Sequence, residues 1–431
     1  MLGVTAAAAA PPAGRLDPSF GRDGVVVHRL TGGYDVARGL AALPTGDVIV
    51  AAESGGYLKP FAGPDAVLLR LRPSGVRDRR FGTNGVLRVD VGRGVDRVSG
   101  VARLEDGRIA AGGAAHNLNG DAYGDDAALY AFRALPSGTL DPSFGRKGVA
   151  SVRVGGTLTN ALSGIAVSPD GGIVVGGTTD PKRLTLARFD ARGRPDRHFG
   201  GDGLVSHRLQ YPYALTRQPD GRLLVVGMTN LPLRDWFVLR LRADGTRDPT
   251  FGGGDGLVVT SFGRGPDAAL AVVVDRRGRI LVTGTSQAGV ECTALCRQLR
   301  LVRYLPSGRV DASFARSSRM TAPVDPAYDA LGLALQREGG ILVAGSALVA
   351  GQAHDPELAL WRFDPSGLRD LSFGVRGVLA TNPTSGRLNL DFLTNAIVQP
   401  DGRILASGGS SKPRTGFDSG SLSDVAVLRA R

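Results

Sequence analysis

Short apolar runs alternate along the chain with polar, glycine-bearing turns, and the alternation recurs as a unit. In the first full copy the strand-length runs are ARGLAALP (from Ala37), VIVAA (from Val48), AVLLRLR (from Ala66) and GVLRVDV (from Gly85). TGD, a long connection and PSG separate them. Runs of β-branched and leucine residues bounded by proline, glycine and aspartate predict strands, here termed A, B, C and D. The A-to-B turn recurs as PTGD, EDGR, PDGG, PDGR, RRGR, REGG and PDGR, and the C-to-D turn as PSGV, PSGT, ARGR, ADGT, PSGR and PSGL. Both are short hairpins in which glycine supplies the positive φ of the turn.

An aspartate followed by a phenylalanine marks each copy: Phe20, Phe81, Phe144, Phe199, Phe251, Phe314 and Phe373, at gaps of 61, 63, 55, 52, 63 and 59 residues. Seven copies of four hairpin-linked strands predict an all-β fold, a seven-bladed β-propeller of four-stranded antiparallel blades, with a solenoid as the alternative. The blades fall near 35–91, 96–155, 160–209, 210–262, 267–324, 328–381 and 391–431. Small residues on alternate positions of A (Gly39 and Ala41, Gly100 and Ala102, Gly164 and Ala166, Ala269 and Ala271, Gly332 and Ala334) make A the inner strand. The last copy stops after its C pattern, DVAVLRAR, while residues 14–31 begin with GRLDPSFGRDGVVV and supply a D strand. An N-terminal outer strand completing the C-terminal blade would leave no open edge around the ring. Residues 14–431 are thus read as one domain, behind a lead of residues 1–13.

The succession LDPSFG, GVV, PDG, a RILVAG-like strand and a LARFDPSG-like strand resembles the bacterial delta-60 repeat, a β-propeller family of secreted or surface-associated proteins. The likeness runs from Gly14 to Arg431; Ala315 replaces the glycine after Phe314, and the fourth copy is short before strand A. It implies architecture and export, and no particular chemistry.

Two charged series accompany the repeat. An arginine stands five residues before the C-to-D turn glycine in six copies (Arg70, Arg133, Arg188, Arg240, Arg303, Arg362), with Arg429 at the same place in the last strand C, and an aspartate follows the turn (Asp17, Asp78, Asp141, Asp196, Asp248, Asp311, Asp370). Their offset suits pairing across the hairpin, a building element in which Arg429 with Asp17 would join the chain ends. The phenylalanines are expected in the core; with 6% aromatic residues, all tied to the repeat, a base-stacking platform is disfavoured.

At the entry of strand A stand Asp35, Asp96, Asn160, Asp267, Asp329 and Asp391. They are expected either to bond backbone amides locally or to form an acidic ring at one mouth of the channel, where Asp35, Asp96, Asp267, Asp329 and Asp391 would be calcium ligands. Otherwise no cofactor is expected.

Composition narrows the rest. The formal charge is +12 and the pI near 10.3, but the 52 basic residues are nearly all arginines spread over repeat positions, which argues against a nucleic-acid footprint. No apolar run is long enough to cross a bilayer as a helix. Met1 to Ala13, MLGVTAAAAAPPA, reads as a signal-peptide remnant or a disordered lead, favouring a secreted or cell-surface protein. Cys292 and Cys296, within VECTALC, are expected to form a local disulfide. Long B-to-C connections at 54–64, 116–125, 286–298, 348–356 and 410–423 place recognition on the D-to-A and B-to-C face. The five histidines (His28, His116, His198, His207, His354) and five glutamates (Glu53, Glu105, Glu291, Glu338, Glu357) form no acid–base pair in sequence. The expected role is a monomeric binding scaffold for a protein or glycan. The alternative is a propeller enzyme of lactonase, lyase or hydrolase type with a metal in the channel.

Overall fold

The computed structural model describes residues 14–31, 33–55, 63–92, 94–116, 127–155, 158–179, 183–209, 211–230, 234–263, 265–287, 297–316, 327–348, 356–383, 391–412 and 422–431. Residues 1–13, Cys292, Cys296 and His354 lie outside them, as does most of each long B-to-C connection. Among the described residues no helix is long and apolar enough to cross a membrane.

The strands run in chain order. β1 (Val25–His28) comes first, then β2 (Tyr34–Ala42), β3 (Val48–Gly55), β4 (Asp65–Leu71) and β5 (Val86–Val89). Next are β6 (Asp96–Arg103), β7 (Ile109–His116), β8 (Ala127–Ala134) and β9 (Val149–Arg153). The third group is β10 (Leu158–Ala161), β11 (Ala166–Val167), β12 (Ile173–Thr179), β13 (Arg183–Phe189) and β14 (Leu204–His207). The fourth is β15 (Tyr211–Arg217), β16 (Leu223–Met228), β17 (Trp236–Leu241) and β18 (Leu257–Thr260). β19 (Asp267–Val274), β20 (Ile280–Gln287) and β21 (Arg297–Tyr304) follow, then β22 (Ala327–Leu335), β23 (Ile341–Leu348), β24 (Pro356–Phe363) and β25 (Val378–Thr381). The chain ends with β26 (Asp391–Val398), β27 (Ile404–Lys412) and β28 (Leu422–Ala430).

Within the groups consecutive strands from β2 on pair antiparallel, the hairpin geometry that the glycine turns impose, except that β10 and β11 both pair with β12. β1 pairs antiparallel with β28, Val25 opposite Leu428 and His28 opposite Val425, so the first strand of the chain is the fourth of its last sheet. One parallel pair, Tyr34 with Ser423, links that sheet to β2–β5.

Each sheet packs on the next, which explains why the middle strands are apolar on both faces. β17, WFVLRL, is buried throughout. Ile49, Leu68 and Phe81 pack with Ile109, Tyr130 and Phe132 of the following sheet. Leu405 and Val427 of the last sheet pack in the same way with Phe20, Val50 and Leu69. The seven repeat phenylalanines are at most 1% exposed. Most meet the turn glycine of the following sheet: a Cβ on Gly138 would lie 2.7 Å from the Phe81 ring, and one on Gly367 2.5 Å from that of Phe314. Those glycines are therefore fixed twice, by φ near +85° and +87° and by the ring beneath them.

The first strand of most sheets carries a register shift. It falls between Ala37 and Gly39, Val98 and Gly100, Pro212 and Ala214, Ala269 and Ala271, Ala330 and Gly332, and Leu393 and Asn395. The third copy departs further from the expected continuous strand A, which breaks into β10 and β11. Gly164, at φ +88°, donates its N–H to Ser99 O at 2.8 Å, and a Cβ there would come within 2.6 Å of Leu215 O. Small residues let neighbouring first strands touch: a Cβ on Gly39 would sit 3.0 Å from Gly100 Cα.

Candidate functional site

The regular charges are committed to one another. Arg133 lies 2.7 Å from Asp141, Arg188 2.8 Å from Asp196, Arg240 2.8 Å from Asp248, Arg303 2.7 Å from Asp311, Arg362 2.7 Å from Asp370 and Arg429 3.0 Å from Asp17. Arg70 is 3.6 Å from Asp78 and turns instead to Asp47, at 3.0 Å from Nε, while Arg72 and Arg80 cover Asp78. Several guanidinium groups also lie over the repeat phenylalanine, as Arg303 does over Phe314 at 4.4 Å. Each of six donates from Nη1 to the next sheet's C-to-D turn: Arg70 to Pro136 O, Arg133 to Ala191 O, Arg188 to Ala243 O, Arg240 to Pro306 O, Arg303 to Pro365 O and Arg429 to Pro73 O.

Asp17 is the most heavily engaged of the aspartates. Fully buried, it meets Arg429, Arg431 at 2.6 Å and Arg403 at 3.1 Å. Burial pushes its carboxyl up, but hydrogen bonds from Arg431 and Ser19 and the field of Arg429 outweigh that and hold it well below the usual range.

The strand-entry aspartates do not converge. Asp35, Asp96, Asp267 and Asp391 are fully buried, each at its own sheet. Asp35 accepts from Leu30 and Thr31 N–H at 2.9 and 2.8 Å, Asp96 from Val91 at 2.8 Å, and Asp267 from Phe262 at 2.8 Å. They cap the D-to-A connection, the local alternative of the two read from the sequence. The side chains of Asp329 and Asn160 lie outside the described residues.

A cavity of about 270 Å³ opens instead where the first strands meet. Its lining includes Arg38, Ser99, Tyr213, Leu270, Leu331 and Thr394, and each is the extra residue of one strand's register shift. Leu162 and Ser163, at the break between β10 and β11, complete the wall with Arg97 and Glu53. A bulge lifts one residue out of the pairing and re-aims its side chain. Apart from Thr394, which precedes Asn395, the residue before the small one in strand A faces the cavity.

The cavity lining is mixed in character. Leu162, Leu270 and Leu331 are apolar; Arg38, Arg97, Ser99 and Tyr213 are polar or cationic. Arg38 donates to Glu53 at 3.1 Å and to Tyr34 Oη at 3.2 Å. Among the described residues the half-buried Arg97 guanidinium has no ion pair, and the buried Ser99 hydroxyl has no hydrogen-bond partner. Behind Arg97, burial and the arginine's charge push His116 down to about 4, so its imidazole is neutral at ordinary pH. These residues were missed in the sequence because they differ from copy to copy; their position before the small residue of A was the available signal.

A larger groove, of about 720 Å³, lies on the short-turn face between Asp106 and Asp170. Its Arg108 is already bound to Asp106 and Asp141 and its Arg133 to Asp141, so it reads as a seam between sheets.

The model of a domain of unknown function (DUF5122) described as a beta-propeller matches residues 218–251. No curated protein matches the chain. The solved polysaccharide lyase Uly1 is similar in fold at TM-score 0.52 and 12% identity, over 94% of this chain and 91% of that one. A PL25 ulvan lyase is similar at TM-score 0.51 and 12% identity, over 93% and 95%. With the antiparallel sheets described above, the chain is an all-β protein of β-propeller type.

Proposed function

We propose that the chain is a closed seven-bladed propeller of the delta-60 kind, an exported binding scaffold whose central cavity takes an acidic sugar unit. The observation that carries the ligand class is Arg97, a half-buried guanidinium facing a cavity with an apolar wall and having no anionic partner among the described residues. A sugar acid offers one apolar ring face to Leu270 and Leu331 and one carboxylate to Arg97 and Arg38. The cavity lies where β2 and β6 begin and β3 and β7 end, the side from which the long B-to-C connections depart. Closure is supported by the packing of the last sheet on the first and by the bond from Arg429 to Pro73, the same step that joins earlier neighbours.

Binding is preferred to turnover on one ground. Glu53, the carboxylate of the cavity wall, is 3% exposed and already engaged by Arg38 rather than held free toward a ligand. Titration of the full chain with glucuronate and galacturonate oligosaccharides, against neutral ones, tests the reading. A charge-assisted contact of about 1.5 to 3 kcal/mol predicts that Arg97→Ala weakens the acidic ligands by roughly tenfold to a hundredfold. Equal affinity for acidic and neutral sugars, or no change in Arg97→Ala, would refute it, and new reducing ends would favour an enzyme.

A further inference from the structure

We propose that Asp65, Asp90 and Asp96 hold a hard divalent cation, calcium before magnesium, at the junction between the β2–β5 and β6–β9 sheets. Asp65 opens β4, Asp90 follows β5, and Asp96 opens β6, so the trio spans two sheets. One carboxylate oxygen from each lies within 4.8 Å of the other two, and this is the described group of three that could share an ion. The second observation is independent of that proximity. Asp96 is 0% exposed; its Oδ2 accepts from Val91 N–H, but its Oδ1 is buried with no hydrogen-bond partner among the described residues. A buried carboxylate oxygen left without a donor is destabilising unless a cation or a proton serves it.

The charge balance favours an ion. Three carboxylates meet one guanidinium, Arg88, which binds Asp65 at 2.7 Å and also donates to Ser54 O. Asp90 is exposed, so the site keeps an open side on which a calcium ion retains water, as its six to eight oxygen ligands require. Burial, with a smaller contribution from Asp90 and Asp65, pushes the Asp96 carboxyl up to about 7 against the Val91 and Gly92 amides. The equivalent junction before β19 differs. There Asp267 also has an unpartnered Oδ1, but it feels one further carboxylate, Asp235, and the opposing charge of Arg300. Among the described residues that junction gathers two carboxylates rather than three, and it serves as the internal control.

The test uses the full chain, stripped with chelator and titrated calorimetrically with calcium chloride and then magnesium chloride, with melting followed in parallel. Calcium is expected to bind with a dissociation constant on the order of 10⁻⁴ to 10⁻³ M, the range of extracellular modules, and to raise the melting temperature. Asp90→Asn, a change at an exposed position, should weaken calcium at least tenfold, and Asp96→Asn should abolish binding, whereas Asp235→Asn should leave it unchanged. If Asp96→Asn fails to fold, Asp90→Asn decides alone. Absence of both heat and thermal shift at millimolar calcium would overturn the proposal, because Asp96 would then simply be protonated. Equal affinity in wild type and Asp90→Asn would overturn it as well.

Discussion

Asp17→Ala is expected to lower the unfolding free energy by about 3 to 5 kcal/mol, the cost of leaving buried charge uncompensated. The loss is large because, among the described residues, Asp17 is the carboxylate ion-paired with Arg429, which is 5% exposed, and it also meets Arg431 and Arg403. The same carboxylate accepts from Ser19 N–H and Oγ, which shapes the loop that carries Phe20. Chemical denaturation of wild type, Asp17→Ala and Asp141→Ala measures the effect, and unchanged midpoints in both variants would remove the pinning role from the arginine–aspartate pairs. The pH dependence has a fixed sign. The folded state holds Asp17, Asp78, Asp141 and Asp248 below their ordinary value of 3.8, with Asp78 and Asp248 at about 2. Their contribution is present above pH 4 and is lost as pH falls through the folded values. Asp17→Ala should therefore flatten the acid limb of the stability curve.

The second large effect is expected at Phe251. Its ring is fully buried, lies under the Arg240 guanidinium at 4.5 Å, and touches the place where a Cβ on Gly308 would be, 2.9 Å away. Phe251→Ala should cost about 3 to 5 kcal/mol, since the gap lies between two sheets that each have their own hydrogen-bonded ladder and cannot collapse to fill it. Val375→Ala, at a residue 78% exposed, should change stability by less than about 0.5 kcal/mol. Equal, small losses in the two variants would contradict the role of the phenylalanine as the anchor between sheets.

What could be read from the sequence was whatever the repeat enforces. Hairpin glycines, apolar middle strands and the arginine and aspartate offsets recur because every copy solves the same packing problem, so comparison within one chain exposes them. The cavity was not legible for the opposite reason. Arg38, Ser99, Tyr213, Leu270, Leu331 and Thr394 occupy equivalent bulges, yet they share no chemistry, so their place beside the small residue of strand A gained meaning only with the register shift. The strand-entry aspartates allowed two readings, local amide bonding or an acidic ring, and spacing alone could not choose. Asp35, Asp96 and Asp267 accept amide protons of their own D-to-A connection, as Asp35 does from Leu30 and Thr31. The break at Gly164 was hidden too, since GIAV reads as an uninterrupted strand until the neighbouring Ser99 carbonyl captures the glycine N–H.

The central claim is that the two ends of the chain form one sheet and so hold the ring shut. Native-state hydrogen exchange at Val25–His28 tests it most directly, because among the described strands its pairing partner is β28. If the ends are joined as described, the β1 amides that face β28 exchange only through global unfolding, with the same free energy as the β4 amides of a continuous sheet. Exchange of β1 within seconds, while β26–β28 remain protected, would show the strand to be a loose tail and would contradict the closed propeller.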